Sequence, residues 1–237
     1  MDTLLSVNET DWAACAAPEA VDEARPLDPF TTYRFLRALE ESGSVGNATG
    51  WHPYYILAIS GNQLLGCAPM YVKTHSQGEY IFDHSWANAY ERAGGKYYPK
   101  IQVAVPFTPV PGKRLLANNE NQEKAFPILL EGIKSFAAKN NLSSAHITFC
   151  TFDEFKKGGS FGLLKRTSSQ YHWKNDGYEN FQDFLDALSS RKRKNIRKER
   201  ERARSFGGEI VRYSGKEITE RHWDAFWNFY QDTGRRN

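Results

Sequence analysis

The chain has 237 residues, 40% of them hydrophobic and 14% aromatic, which supplies a packed core and argues against disorder. Its net charge of +3 is uneven: Arg191–Arg204 holds nine Lys/Arg against Glu199 and Glu201, and the remainder has 22 basic against 26 acidic residues. No run approaches the ~18 apolar residues of a membrane span, and Met1–Asn8 lacks the basic and apolar regions of a secretory signal, so no membrane insertion and a cytoplasmic protein are expected.

In chain order, Thr3–Val7 reads as a short strand, Pro26, Asp28 and Pro29 as a loop, and Phe30–Glu41 as a helix with Phe35, Leu36 and Leu39 inward. Tyr54–Ile59 and Leu64–Val72 flank Ser60-Gly61-Asn62-Gln63, the pattern of a hairpin. His75–Lys100 is rich in Tyr, Gly, His and Trp without clean periodicity. Ile101–Val105 is a strand that ends at Pro106, Pro109 and Pro111. Phe126, Leu129, Leu130 and Ile133 keep a helical stripe, and Ala145–Phe149 and Leu163–Trp173 read as strands. Phe181, Phe184, Leu185 and Leu188 mark a short helix. The basic helix follows, with Ser189 or Ser190 as N-cap. Glu209–Tyr213 reads as a strand, and Trp223, Phe226, Trp227 and Tyr230 mark a last helix. The pattern predicts a mixed α/β (α+β) fold with a first domain over 1–175 and a second, beginning one over 176–237.

Several stretches are similar to one bacterial family. They are Glu40–Gly46, Gly78–Asp83, Ala89–Lys100, Val103–Val110 and Leu188–Glu199, within a match from about Pro29 to Arg235. The chain resembles the GNAT/FemAB-like proteins described as peptidoglycan biosynthesis or recognition proteins. The resemblance implies two GNAT-like folds in tandem, the second incomplete here because such proteins continue past Arg235. It also implies acyl or aminoacyl transfer to an amine, with acyl-CoA or aminoacyl-tRNA as donor and a peptidoglycan precursor as acceptor.

Acyl transfer to an amine needs a base, a donor for the leaving group and a stabilised oxyanion. Glu79 or Asp83 is the candidate base, and Tyr97 or Tyr98 the candidate donor. The alternative is a structural loop of packed tyrosines and solvated charges. After the Ile101–Val105 strand, Lys113 and Arg114 offer side chains to a donor's phosphates, where prolines have removed backbone donors; otherwise the segment is a rigid turn. On the basic helix, Arg193 and Arg197 are the candidates for gripping a phosphate carrier or tRNA. Read blandly, the same helix is a solvated one laced by pairs such as Arg197 with Glu201. Cys15, Cys67 and Cys150 are far apart and the six histidines are scattered, so buried thiols and no metal are expected. Three functional classes stay open: a transferase, an RNA- or phosphate-binding module without chemistry, and an inactive half that associates through Trp223, Phe226, Trp227 and Tyr230.

Overall fold

The computed structural model describes residues 1–16, 28–46, 48–81, 83–118 and 120–236, which form a mixed α/β fold with two sheets and eight α-helices. They fall into two compact units, Met1–Thr167 and Ser168–Asn237. Pro26 of the expected loop lies outside the described residues.

The first unit contains α1 (Glu9–Ala16), α2 (Tyr33–Glu41), α3 (His84–Arg92), α4 (Gln122–Lys139) and α5 (Phe152–Ser160). Its strands are β1 (Trp51–Pro53), β2 (Ile56–Ser60), β3 (Gln63–Ala68), β4 (Met70–Lys73), β5 (Lys100–Val103), β6 (Leu116–Ala117) and β7 (Ala145–Ile147). One sheet runs β1-β4-β5-β7 and the other β2-β3-β6.

Thr3–Val7 is not a strand. Leu4–Ser6 forms a 3-10 turn, because Thr3 Oγ1 accepts from Leu5 N while Thr3 Oγ1 and Leu4 N donate to the Glu40 carboxylate. The α2 helix starts at Tyr33 rather than Phe30, behind the Thr32 hydroxyl that accepts from Phe35 N. The hairpin forms between β2 and β3, with Gly61 at positive φ in the turn. The apolar run Leu64–Val72, however, is two strands. Pro69 has no N–H to give a ladder, and there the chain leaves one sheet for the other.

Strands β5 and β7 are parallel neighbours, paired from Ile101↔Ala145 to Val103↔Ile147, with α4 between them in the chain. The α4 helix packs Phe126, Leu129, Leu130 and Ile133 against Met70, Ile101 and Val103. A Cβ on Gly66 would stand 2.7 Å from Ala125 Cβ and 2.8 Å from Leu116 O, so only glycine lets α4 approach β3 this closely. A second cluster gathers Leu4, Trp12, Cys15, Leu36, Tyr55, Cys67 and Leu116. Cys15 and Cys67 are buried there as free thiols, and Cys150 is half-buried.

The second unit holds α6 (Phe181–Ala187), α7 (Ser190–Arg204) and α8 (Glu220–Arg235). Asn180 caps α6 by accepting from Gln182 N and Asp183 N, while Ser189 stands at the N-cap of α7 without a side-chain bond to it. Leu163–Trp173 and Glu209–Tyr213 do not form strands: neither finds a pairing partner among the described residues, and apolar composition alone does not close a ladder. Among the described residues no helix is long and apolar enough to cross a membrane.

Candidate functional site

Side chains two residues apart on a strand share a face. On β4 and β5 one face, Met70 with Ile101 and Val103, meets α4. The opposite face is polar and also buried: Tyr71, Lys73, Lys100 and Gln102 are all without solvent exposure. The register sets Lys73 directly opposite Lys100, with Trp51 beyond it on β1, and Tyr71 opposite Gln102, with His146 beyond it on β7. Like charges facing each other across a ladder repel, so this face requires counter-charge.

The chain between β4 and β5 supplies it. Lys100 Nζ donates to Asp83 Oδ2 at 2.6 Å, to Glu79 Oε2 at 2.8 Å and to Ser76 Oγ at 3.1 Å. Tyr97 OH donates to the same Asp83 oxygen at 2.7 Å, and Tyr98 OH shares a 2.6 Å hydrogen bond with Ser76 Oγ. Glu79, Asp83, Tyr97 and Tyr98 are therefore brought together, all within one or two hydrogen bonds of one ammonium. Two local features make this chain path. Gly78 has φ +77°, and a Cβ there would lie 2.6 Å from the Phe107 ring. Asp83 stands at the N-cap of α3 but makes no cap bond, since its carboxylate is committed to Lys100 and Tyr97. His84, Tyr90 and Glu91, from the same stretch, lie at the surface.

Lys73 is held differently. Its Nζ donates to Gln77 O at 3.2 Å and sits 3.8 Å from the centre of the Trp51 ring, and no carboxylate comes within ion-pair distance among the described residues. Burial pushes its amine down to about 7, against the pull of Glu79 and with the repulsion of Lys100. Burial also raises Glu79, with Lys100 opposing. Burial would raise Asp83 too, but hydrogen bonds from Lys100, Ser76 and Tyr97 hold it at about 2. Burial and the Asp83 charge lift the Tyr97 phenol above its ordinary range. His146, with Nε2 2.8 Å from Ser144 Oγ, falls to about 4 through burial and the charge of Lys100.

Both carboxylates spend one oxygen on Lys100 and leave the other, Glu79 Oε1 and Asp83 Oδ1, buried without a partner among the described residues. Gln102 does the same, its Nε2 donating to Thr148 Oγ1 at 2.7 Å and its Oε1 unmatched. The two unmatched carboxylate oxygens beside Lys100 suit a ligand that brings N–H or O–H donors.

Sequence reasoning missed Lys73, because a lysine closing an apolar strand reads as a solvated end. The signal lay in the alternation, which puts Lys73 with Tyr71 on the face away from Met70.

The proline-rich loop has a different construction. Lys113 is half-buried. Arg114 is buried, and its guanidinium donates to Thr148 O at 3.0 Å, Lys113 O at 3.2 Å and Val110 O at 2.6 Å. The Arg114 and Leu115 amides donate to the Glu154 carboxylate, which fastens the loop to α5. The structure thus directs Arg114 at the loop's own carbonyls.

In the second unit, Arg193 is drawn to the end of α6: it donates to Asp186 O at 3.2 Å and Leu188 O at 3.1 Å, with Asp186 Oδ1 at 3.4 Å. A cation at a helix C-terminus is favoured by the helix dipole. Arg197 lies elsewhere. With Arg200 and Arg204 it occupies positions i, i+3 and i+7 on α7 and borders an open hollow of about 570 Å³, closed on the other side by Phe181, Gln182 and Leu185 of α6. The Arg200 guanidinium stands 4.0 Å from the centre of the Phe181 ring. On α8, Trp223, Phe226, Trp227 and Tyr230 are exposed. Among the described residues no group of His, Cys, Asp or Glu is arranged to hold a metal ion.

A family model described as FemAB_like, peptidoglycan biosynthesis/recognition, matches residues 3–237. No curated protein matches the chain significantly.

Proposed function

Because the chain belongs to the FemAB_like family of peptidoglycan biosynthesis and recognition, we propose that it is a cytoplasmic transferase that moves an acyl or aminoacyl group onto an amine of a peptidoglycan precursor. The observation that carries this reading is the pair of unmatched carboxylate oxygens, Glu79 Oε1 and Asp83 Oδ1, beside Lys100. An incoming amine has the N–H groups these oxygens lack. Leaving a buried acceptor unpaired costs ~1–3 kcal/mol, which such a ligand recovers on binding.

The two carboxylates take different parts in the reaction. Asp83 is held ionised by Lys100, Ser76 and Tyr97 and orients the amine. Glu79, lifted by burial, is the better proton acceptor. Tyr98, whose hydrogen bond with Ser76 can run in either direction, is the donor toward the leaving group, while Tyr97 spends its one proton on Asp83. The parallel pair β5 and β7 around α4 supports a GNAT-like frame for this site. Within the second unit Arg197 is the side chain offered to the phosphates of an acyl-CoA or aminoacyl-tRNA, while Arg114 and Arg193 hold their own segments in shape.

The test is direct transfer. Purified protein is incubated with labelled aminoacyl-tRNA or acyl-CoA and a peptidoglycan precursor bearing a free amine, and the product is read by mass. Amide formation that falls ~10²-fold or more in Glu79→Gln is expected. No product with either donor class would remove the transferase reading.

A second reading has its own observation. Arg197, Arg200 and Arg204 beside Phe181 combine charge with an aromatic face, the chemistry of a single-stranded nucleic acid site without catalysis.

A further inference from the structure

No residue of helix α8 is buried, and neither reading above gives it a part. Trp223, Phe226, Trp227 and Tyr230 stand at i, i+3, i+4 and i+7, so they share one face, and Phe229 widens it. The five rings are 52% to 73% exposed. They also order one another. Trp223 meets Phe226 edge-on at 6.3 Å, and Tyr230 stacks on Phe226 and on Trp227, each at 6.2 Å. A buried aromatic side chain removes ~150–250 Å² from water, so at these exposures the stripe leaves about 600 Å² of ring surface uncovered. A contiguous patch of that size marks an interaction surface, whereas scattered single residues do not.

Charge selects the occupant. Helical spacing sets Glu220, Asp224, Gln231 and Arg235 along one flank of the stripe, acidic at the start and basic at the end. We propose that a second copy of this chain covers the face, its α8 lying antiparallel across the first about a two-fold axis near Trp227. Trp223 of one copy then meets Tyr230 of the other, Phe226 meets Trp227, and Glu220 meets Arg235. The arrangement is self-complementary, as a two-fold interface must be, and it sets the helix dipoles in opposition. A parallel pair would instead place Glu220 against Glu220 and Arg235 against Arg235, and like charges so placed repel. Two stripes together bury ~1,200 Å², which reaches the lower bound of a specific, stable interface. A membrane surface fits less well. The charges of α8, Glu220, Asp224 and Asp232 with Arg221 and Arg235, are mixed in sign, and the cationic polar face of an interfacial helix is missing.

The experiment is the mass of the full chain in solution, by light scattering and sedimentation over a range of concentration. The expected result is a discrete species of twice 27.1 kDa. Trp227→Glu, present twice in the interface, raises the dimer dissociation constant by ~30-fold or more with native circular dichroism. Glu220→Arg and Arg235→Glu each weaken association by ~2–10-fold, and the two together restore it. This charge swap tests the antiparallel register even if the tryptophan variant folds poorly. A wild-type chain that stays monomeric at tens of micromolar overturns the proposal. So does a dimer that Trp227→Glu leaves intact, a heterogeneous aggregate in place of a dimer, or a monomer that binds phosphatidylcholine–phosphatidylglycerol vesicles. A double charge variant weaker than either single one overturns the antiparallel register. None of these outcomes bears on the transferase reading, which stands or falls by the transfer assay.

Discussion

Lys100 illustrates how much one side chain can hold together. Its ammonium is shared by Glu79 and Asp83 with no water exposure, and both carboxylates depend on it. Lys100→Met would leave two buried anions facing each other, and a loss of about 3–5 kcal/mol is expected in urea unfolding at pH 7. Adding Glu79→Gln and Asp83→Asn to the same chain should restore much of that loss. The pH dependence follows from the direction of each shift. Asp83 is depressed to about 2, so its contribution is complete above the unfolded value near 4 and disappears as pH falls through 2. Lys73 acts in the opposite range. Its folded value of about 7 lies below the unfolded 10.5, so the folded state binds fewer protons between those limits and stability from this group falls as pH drops from 10.5 toward 7.

Elements differ in how plainly they could be read beforehand. Helices α2, α4, α6 and α8 and the β2–β3 hairpin were legible because apolar spacing or a Gly-Asn turn announces them. Helix α3 was not, since its sequence, His84 to Arg92, buries only Ala87 and so lacks a stripe. Helix α5 carries Gly158 and Gly159 in its last turn and owes its start to the Thr151–Glu154 capping box, a signal of two side chains. The strands that failed, Leu163–Trp173 and Glu209–Tyr213, had composition but no neighbour, and pairing is a tertiary fact. For the site, Glu79, Asp83, Tyr97 and Tyr98 could be nominated as residue types. Their convergence could not, because it depends on Lys73 and Lys100 lying opposite each other on strands that 26 residues of chain separate (residues 74–99). At this scale the tight α4–β3 contact gives a sharp expectation. Gly66→Ala should destabilise by ~1–3 kcal/mol, measured as a shift of the urea midpoint, because the new methyl meets Ala125 and a backbone carbonyl rather than a flexible side-chain end.

Across the whole molecule, charge is divided between the two units. Residues 168–237 carry 15 Lys/Arg against 11 Asp/Glu, while residues 1–167 carry 16 against 17. Any salt-dependent attraction to polyanions is therefore expected of the second unit. Binding to a short single-stranded RNA should weaken in Arg197→Glu, and the slope of log affinity against log salt should become shallower by ~1 or more. A chain that shows no RNA retention at low salt would exclude the nucleic-acid reading. The two-faced sheet also bears on how the first unit reaches its native state. Sliding β4 or β5 by one residue would drive an ammonium beneath α4 and turn isoleucine or valine toward the carboxylates. Misaligned pairings are thus rejected by electrostatic cost as well as by poor packing, so the two buried lysines police the alignment of the strands as the chain folds.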